Sequence, residues 1–595
     1  MRQSLRLRPP GVYHDETEKR VAPLALARSG VPGFVGLTRK GPTNVPVHIT
    51  SVERFREIYG RLESDTYLAP AVEGFFANGG RECFVLRVAH MAEHGRGEIA
   101  LSASARLRDH EDKLTIQIDA VNQGSWGNGI SATVRPQPPR VQTFITLDMH
   151  PGDNGVAIKS THGFARGTVV RIYDDTREIH RIVQEVDGKN LFWSQDEPVE
   201  TGFKSGGPTY VEPVAFELEV QGEGLREHFK DLSFARMSPS YFERAVNGQS
   251  QLITLTNLGS DAPLHLRYPK EAVDLRLSNG SDGLFNVTPA DFIGRDDGPG
   301  HRFGLRALEA IEQVDLLVIP DLMWALDHSV GFNNTTKNVE VVQDEMIGQC
   351  ERTRDRFAIL DVPDPRDHLK ALNWRLQFDS AYAALYFPWI IVEHEGKQRL
   401  VPPSGHIAGA YARTDADGGL HHAPANVALE GVLDLERVLQ DTDIGYLNGR
   451  GVNCLKYFPT RGVRVWGART VSSDPNTRFV NVRRVLNGII RAVGTNLQWV
   501  VFEPNHPRLW KSVTRNVSFF LRDLWRLGYF KGRVPEEAFY VKCDHETNPP
   551  ELRDAGYLVV EVGVSPVRPA EFIVFRVQQA VEEVGPGSGA EAVQE

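Results

Sequence analysis

The sequence predicts a mixed α/β (α+β) protein whose core is interrupted by a mostly-β insertion. Helical and strand patterns alternate near the start of the chain and again in its second half. The stretch between them contains short alternating runs separated by turn residues. With 595 residues the chain is long enough for about three or four domains. Its 41% hydrophobic and 24% charged residues are typical of a globular protein.

The N-terminal part predicts an arm followed by the first portion of the core. Residues 1–28 are rich in Pro and show no strong periodicity, so we expect an extended arm with a short strand through Val12 and Tyr13. "GFVGLT" then predicts a strand, and "SVERFREIYG" predicts a helix capped by Ser51 and stopped by Gly60. A second helix, "YLAPAVEGFFANGG", and a buried strand, "ECFVLRVA", follow.

From about residue 91 the pattern changes to short strands. Runs such as "DKLTIQIDAV", "TVVRIYD" and "VAFELEVQ" alternate apolar and polar residues, and Gly, Asn, Asp and Pro separate them. Regular short strands with turn signals predict a β-sandwich or small barrels, in one or two modules.

From about residue 285 the α/β pattern returns. The runs "VDLLVIPD", "DRFAILDVPD" and "AYAALYFPWIIV" are typical of strands in a sheet covered on both faces, and "GLRALEAIEQV" predicts a helix. Further on, "SSDP" predicts a helix start with Asp474 as the cap and Pro475 in the first turn. The apolar positions of this helix follow helical spacing: Phe479, Val482, Leu486, Ile489 and Val493.

The following helix is predicted to have two contrasting faces. It begins at Asn505 or His506, with Pro507 near the first turn, and stops at Gly528. One face carries apolar residues: Trp510, Val513, Val517, Phe520, Leu521 and Leu524. The opposite side, called the cationic face below, carries Arg508, Lys511, Arg515, Arg522 and Arg526. Such a face is either a solvated surface or a docking ridge for an acidic partner.

Positive charge is concentrated in one segment of the chain. The net charge is −10, yet residues 448–534 contain sixteen Lys and Arg against three acidic residues, so that segment carries +13 and the rest −23. This asymmetry indicates a surface for an acidic partner, either nucleic acid or an acidic protein.

The stretch "EFIVFRVQQ" near the C-terminus predicts a strand without an adjacent partner. Ile573, Phe575 and Val577 would point to one side, and Phe572 and Val574 to the other. The residues that follow are acidic and Gly-rich and offer no hairpin mate. This strand must therefore pair with a distant part of its own chain or with another chain.

Recognisable motifs for catalysis or metal binding are missing from the sequence. It contains no phosphate-binding GxxxxGKS/T loop and no HExxH, and "DADGG" starts like a calcium loop but has Asn426 at its twelfth position. Ser404 lies two residues before His406, without a GxSxG elbow or a triad. His421 and His422 are predicted to be exposed loop residues. We therefore expect no enzyme activity, no cofactor and no metal.

Other sequence features indicate an intracellular globular chain. The cysteines form no CxxC pair and predict reduced, buried thiols at Cys83, Cys350, Cys454 and Cys543. The sequence contains no run of about 18 apolar residues, so we predict no membrane span. The basic N-terminus lacks the apolar segment that a secretory signal would need.

Many stretches, in the same order along nearly the whole chain, resemble the tail sheath proteins of contractile phages and related contractile injection systems. In the first two thirds they are "PPGVYHDE", "VPGFVGLTRKGPTNVPVHITSVERFREIYG", "GSWGNGISATV", "LSNGSDG", "TPADFIG" and "CERTRDRFAILDVPD". The last third contains the strongest similarity: "VPPSGHIAGAYARTD", "APAN", "LNGRGVNCLKYFPTRGVRVWGARTVSSDP", "QWVVFEPN" and "CDHETNPPELRDAGYLVVEVGVSPVRPAEFIVFRV".

The resemblance implies an α/β core built from both ends of the chain and a middle domain that is subtilisin-like in fold but lacks a triad. It implies a structural subunit that polymerises as stacked hexameric rings around an inner tube and contracts to drive the tube through a target envelope. Extended N- and C-terminal arms would complete sheets in neighbouring subunits. The strand at Phe572–Val577 would then join a neighbour's sheet beside the segment around Val12 and Tyr13.

The resemblance also implies the partners. These are further copies of the chain, an inner tube protein, baseplate and tail terminator proteins, and sheath paralogues where these exist. The resemblance does not fix which helix faces the tube, and we expect that the cationic face, with Arg508, Lys511, Arg515, Arg522 and Arg526, contacts an acidic tube. We expect no nucleic acid and no direct membrane insertion, with assembly in the bacterial cytoplasm into a phage tail or phage-tail-like particle. Two rival functions are a nucleic-acid-binding protein that uses residues 448–534 and a hydrolase on the middle domain.

We expect six regions along the chain. They are the N-terminal arm (1–28), the first part of the α/β core (29–90), the β-rich insertion (91–284), the middle α/β domain (285–440), the C-terminal α/β domain (441–570), and a C-terminal strand arm with a disordered tail (571–595).

Overall fold

The computed structural model describes residues 24–60, 66–91 and 98–571. Its first elements are β1 (Pro32–Gly36), β2 (Val47–Ile49), α1 (Val52–Tyr59), α2 (Leu68–Ala77) and β3 (Cys83–Arg87). As predicted, the Ser51 side chain caps α1 by accepting a hydrogen bond from the backbone N–H of Arg54, and α1 ends at Gly60, which has a φ of 86°.

In its described residues the insertion consists of short strands, one short 3-10 helix (Ser125–Gly129) and one short α-helix. The strands and the α-helix are β4 (Ser104–Arg108), β5 (Leu114–Ala120), β6 (Ser131–Pro136), β7 (Thr143–Phe144), β8 (Gly155–Ala157), β9 (Val169–Tyr173), β10 (Glu178–Ile182), β11 (Glu185–Asp187), β12 (Asn190–Phe192), β13 (Tyr210–Pro213), β14 (Phe216–Gly222), β15 (Leu225–Leu232), α3 (Phe242–Val246), β16 (Ile253–Asn257) and β17 (Ala272–Arg276).

These strands form two modules, one nested in the other. The outer module contains the sheets β15–β14–β6–β17 and β16–β5–β4, which share one apolar cluster. The inner module contains the sheets β10–β9–β13–β7 and β11–β12–β8 around a second cluster. All strands of the inner module lie between β6 and β14 in the sequence, so this module is an insertion within the insertion.

The α/β pattern then resumes. Its elements are α4 (Pro289–Ile293), β18 (Leu316–Val318), α5 (Leu322–His328), α6 (Thr336–Thr353), β19 (Phe357–Asp361), α7 (His368–Arg375), β20 (Ala383–Phe387), β21 (Ile390–His394), β22 (Lys397–Val401), α8 (Ser404–Gly418), β23 (Val432–Leu435), α9 (Asp441–Asn448), β24 (Val452–Phe458) and β25 (Gly462–Val465).

The central sheet combines strands from both sides of the insertion. Its order is β2–β3–β1–β18–β19–β20–β24–β25. The six inner strands are parallel, and β2 and β25 close the edges in antiparallel orientation. Every residue of β1, β18, β19 and β20 is buried, because apolar clusters cover both faces of the sheet. The prediction of a mixed α/β fold is confirmed.

The chain continues into a C-terminal unit that packs around its own apolar cluster. The elements of this unit are α10 (Val480–Asn496), α11 (Pro507–Arg526), α12 (Pro535–Ala538), β26 (Phe539–Lys542), α13 (Pro550–Asp554) and β27 (Glu561–Val564). No helix in the described part of the chain is long and apolar enough to cross a membrane.

Two local predictions are wrong. "GLRALEAIEQV" forms a 3-10 helix, Gly304–Ala310, instead of an α-helix. The helix predicted to start at Asp474 begins at Val480. The carboxylate of Asp474 instead accepts a hydrogen bond from the backbone N–H of Asn476 at 2.9 Å, so it stabilises a turn that competes with the helical conformation.

Candidate assembly surfaces

Helix α11 has the two faces that its sequence predicts. The side chain of His506 caps the helix by accepting a hydrogen bond from the backbone N–H of Leu509 at 3.2 Å, and Pro507 occupies the first turn. The helix ends at Arg526, and Gly528 follows in the left-handed region with a φ of 87°. All six predicted apolar residues are buried: Trp510, Val513, Val517, Phe520, Leu521 and Leu524.

The cationic face of α11 is exposed along its whole length: Arg508, Lys511, Arg515, Arg522 and Arg526 are all solvent-accessible. In the described part of the chain, Arg526 pairs with Asp523 at 3.4 Å, and Arg522 lies 5.7 Å from the ring centroid of Phe519. The other three cations have no ion-pair partner among the described residues. The positive end of the helix dipole adds to their charge, so the N-terminal half of the face is its most positive part.

The rest of the basic segment does not form one surface. Arg484 is buried, and its guanidinium binds Asp415 at 2.6 Å and Asp315 at 3.2 Å. Lys456 pairs with Asp441, and Arg469 pairs with Glu571. The charge excess predicted from the sequence is therefore partly neutralised by remote acidic residues, and its free portion includes α11.

Strands β26 and β27 form a two-stranded antiparallel sheet beside α11. The register runs from Phe539 opposite Val564 to Lys542 opposite Glu561. The side chains that pack against the cluster containing the apolar face of α11 are Phe539, Val541, Val562 and Val564. On the other side of the sheet, the Tyr540 side chain is exposed.

The small sheet has no third strand among the described residues. Within the described residues neither β26 nor β27 has a second neighbouring strand. Each edge therefore presents backbone N–H and C=O groups that a further strand can bind. Two-stranded sheets are marginal on their own, so added strands would stabilise this one.

The first and last described residues, Leu24 and Glu571, contact different parts of the chain. Leu24 is buried in the same apolar cluster as α11, and Glu571 binds Arg469. The predicted arm-strand residues lie outside the described residues: Val12, Tyr13, Phe572, Ile573, Val574, Phe575 and Val577. Their pairing stays a prediction.

Ser404 and His406 both have buried structural environments. The Ser404 hydroxyl donates to the carboxylate of Asp361 at 2.5 Å, and both residues are buried. His406 is also buried, which lowers the pKa of its imidazole to about 4, and its ring packs against Gly74, where a Cβ atom would lie 2.2 Å from the ring. Ser404 is thus the first residue of α8, with the Asp361 carboxylate at the helix N-terminus, and its hydroxyl is bonded to Asp361 instead of His406.

The other residues considered as possible metal or catalytic sites in the sequence have structural contacts instead. "DADGG" begins within helix α8, where Asp415 binds Arg484, instead of in a calcium loop. His422 is exposed as predicted, but His421 is partly buried and packs on Tyr529 with a centroid distance of 4.2 Å. The four cysteines are free and buried, as predicted. Among the described residues no group of three or more His, Cys, Asp or Glu is placed to hold a metal ion.

Sequence reasoning missed two features of this region. The open edges of β26 and β27 had a signal, because "FYVK" and "YLVVEVGV" are short apolar runs without predicted partners. No sequence signal indicated the pairing of Arg469 with Glu571, because the two residues are 102 positions apart in the chain.

Two family models match consecutive parts of the chain. The phage tail sheath protein central domain matches residues 305–471, and the phage tail sheath C-terminal domain matches residues 472–580. The tail sheath protein of Burkholderia phage BcepMu is 27% identical over 445 residues, which cover 71% of this chain and 83% of that protein. The tail sheath protein of Escherichia phage P2 is 25% identical over 304 residues, covering 49% and 70%.

Solved structures share the fold. The contracted helical sheath of the anti-feeding prophage aligns with a TM-score of 0.52 at 18% identity, covering 96% of this chain and 99% of that chain. A crystal structure of a sheath tail protein from Listeria innocua aligns with a TM-score of 0.53 at 12% identity, covering 91% and 93%.

A buried α/β core that carries a small sheet without further strands among the described residues is compatible with a protein that assembles through its strand edges. The family models and the curated relatives are all tail sheath proteins. The chain belongs to the contractile tail sheath family and is a structural subunit of a phage tail or contractile injection system.

Proposed function

We propose that copies of this chain polymerise as stacked rings around an inner tube and contract to drive the tube through a target envelope. The observation that carries the proposal is the sheet of β26 and β27, whose two outer edges have no partner strand among the described residues. The sequence continues beyond Leu24 and Glu571, and we propose that these segments of a neighbouring copy fill those edges.

The C-terminal strand at Phe572–Val577 of one subunit would add to one edge in its neighbour, and the segment around Val12 and Tyr13 would lie beside it. Such pairing uses backbone hydrogen bonds, which hold a strand without demanding a particular side-chain sequence. The bonded sheets would therefore persist while subunits rotate about the connecting arms. A mesh of this kind shortens without coming apart.

The cationic face of α11 would hold the inner tube through its exposed cations, including Arg508, Lys511 and Arg515. Exposed ion pairs are weak singly, typically below about 1 kcal/mol, and screened by salt. A set of such contacts to an acidic tube would hold in sum and still release when the sheath moves.

Contraction would draw on assembly energy, with no nucleotide consumed by this chain. An extended lattice would be metastable, and a contracted lattice would bury more surface between subunits. A baseplate would trigger release, and the change would pass from ring to ring because each subunit is tied to the next. The proposal includes assembly in the bacterial cytoplasm, a terminator protein at the end of the sheath, and a subtilisin-like middle domain without a triad.

Deleting residues 572–595 tests the proposal. The shortened chain should stay soluble with an unchanged thermal melt but form no cylinders in negative-stain micrographs. A matched deletion of residues 580–595, which keeps the predicted strand, should still form cylinders. Normal cylinders from the longer deletion would contradict strand donation. Single particles that shift labelled DNA would favour the nucleic-acid-binding alternative.

A further inference from the structure

A short segment connects β27 to the root of the C-terminal arm. This linking segment, residues 565–571, crosses the C-terminal unit and is tied to it at several points. The backbone N–H of Val567 donates to the carbonyl of Tyr529 at 3.1 Å, and the Val567 carbonyl accepts from the Asn481 side chain at 3.2 Å. Arg568 donates to the Asn476 side chain at 3.1 Å.

The last tie of the linking segment is its only ion pair within the described residues. The guanidinium of Arg469 binds the carboxylate of Glu571 through two contacts, one of them Nε to Oε1 at 2.9 Å. The two side chains are 9% and 18% exposed, so water screens the pair far less than a surface ion pair. A bidentate contact between two charged groups is stronger than the single hydrogen bonds along the rest of the segment, where at most one partner is charged.

Arg469 is itself fixed to the central sheet. Its backbone N–H donates to the side-chain oxygen of Asn453 at 2.7 Å, and the Asn453 amide donates back to the Arg469 carbonyl at 2.7 Å. The same amide donates to the carbonyl of Leu385 at 3.1 Å. Asn453 lies on β24 and Leu385 on β20, so the pair continues through buried hydrogen bonds into two parallel strands.

We propose that the pairing of Arg469 with Glu571 anchors the root of the C-terminal arm to the central sheet, so that tension from a neighbouring subunit reaches β20 and β24 directly. This inference rests on the proposed strand donation. A pull on the arm meets Glu571 before any other described tie of the linking segment. With the pair intact, the weaker ties behind it carry little tension. Without the pair, they break one after another and the segment peels away.

Glu571→Gln in the full-length chain tests the anchor, because glutamine keeps the size of the side chain and removes its charge. The backbone amide of Val567, which is hydrogen-bonded to the Tyr529 carbonyl, should exchange hydrogen about tenfold faster, as expected for the loss of a charge-assisted contact. Cylinders should be fewer and should come apart at lower urea concentration, with the thermal melt of the subunit unchanged. The matched control is Glu551→Gln, at an exposed carboxylate without an ion pair among the described residues, which should change none of these.

The double variant Arg469→Glu with Glu571→Arg restores opposite charges and should recover slow exchange and urea resistance. A double variant as defective as Glu571→Gln would overturn the pairing. If Glu571→Gln matches the unmodified chain in exchange and urea resistance while deletion of residues 572–595 abolishes cylinders, the anchor is overturned and the proposed function stands. If that deletion leaves cylinders intact, the anchor falls together with strand donation.

Discussion

The central sheet and the small sheet of β26 and β27 differ in the number of strands and in how their faces are covered. The central sheet has eight strands, apolar clusters on both faces and antiparallel strands at its two edges. The small sheet has two strands, one face against the α11 cluster and two edges without partners among the described residues. The strands of the first come from both sides of the insertion in one chain. Under the proposed strand donation, the second would gain strands from neighbouring subunits.

Because of this difference, we expect substitutions in the two sheets to affect different properties of the protein. Changes in the central sheet act on the stability of the subunit, because they alter buried apolar contacts. Changes at the small sheet's edges should act on assembly, because no further strand among the described residues pairs with those edges. The following predictions run from the largest expected effect to the smallest.

Phe34→Ala should produce the largest loss of subunit stability. Phe34 lies in β1 with no exposed surface, and its ring meets Phe75 edge-on at a centroid distance of 5.7 Å. Truncation of such a residue costs about 3–5 kcal/mol in the free energy of unfolding, measured by chemical denaturation. The control is Phe519→Ala, at an exposed position on α11. It should change the free energy of unfolding by less than about 0.5 kcal/mol. Similar losses of unfolding free energy in the two variants would contradict the expected difference between buried and exposed positions.

Val541→Pro should remove assembly and keep the subunit folded. The backbone N–H of Ser565 donates to the carbonyl of Ala538, so by antiparallel alternation the N–H of Val541 points to the outer edge of β26. Proline removes that donor from an incoming strand and is tolerated at sheet edges. Electron microscopy should show no cylinders, with near-normal far-UV circular dichroism.

The control for this edge prediction is Val541→Ala, which shortens the side chain and keeps the N–H. It should retain most cylinders. Equal loss of cylinders in both variants would show that side-chain packing on the α11 cluster, instead of the open edge, is what assembly needs.

Reversing Arg515 and Arg522 to Glu should weaken tube-templated assembly by a salt-dependent amount. The defect should be largest at low ionic strength and shrink near 1 M salt, where the Debye length falls to about 3 Å. Lys531→Glu with Arg533→Glu gives the same change of net charge at exposed positions off the helix and should have little effect. Assembly that is unchanged at every ionic strength would remove the cationic face from tube binding.

The smallest effect is expected from Asp361→Asn at the end of β19. Burial raises the pKa of the Asp361 carboxyl to about 7, so its contribution to stability is present at acidic pH and is lost as the pH rises through 7. Asparagine does not titrate. Relative to the unmodified chain, the variant should gain stability between pH 5 and pH 8 in urea unfolding. The same stability difference at both pH values would contradict the raised pKa.

Local features were predictable where local physics decides them. Helix α11 combines a cap, Pro507 and an apolar face with helical spacing, and all of these signals agree. The start of α10 was missed because Asp474 closes a turn with Asn476, which is as compatible with the letters "SSDP" as a helix cap.

Long-range features could not be predicted in this way. The pairing of Arg484 with Asp315 bridges 169 residues, so the sequence gives no sign that this arginine is buried instead of contributing to a basic surface. The sequence shows that residues 448–534 are basic, but only the fold determines which of these charges form ion pairs with acidic residues. The nested arrangement of the two β modules likewise depends on pairing of β6 with β14 across the inner module.

The most direct test is a cryo-EM reconstruction of assembled particles at a resolution that traces the backbone. The account predicts that the sheet of β26 and β27 gains strands at its outer edges, and that these strands are the terminal segments of neighbouring subunits, with Phe572–Val577 among them. A reconstruction in which both terminal segments fold back onto their own subunit, or in which those edges stay empty, would contradict it.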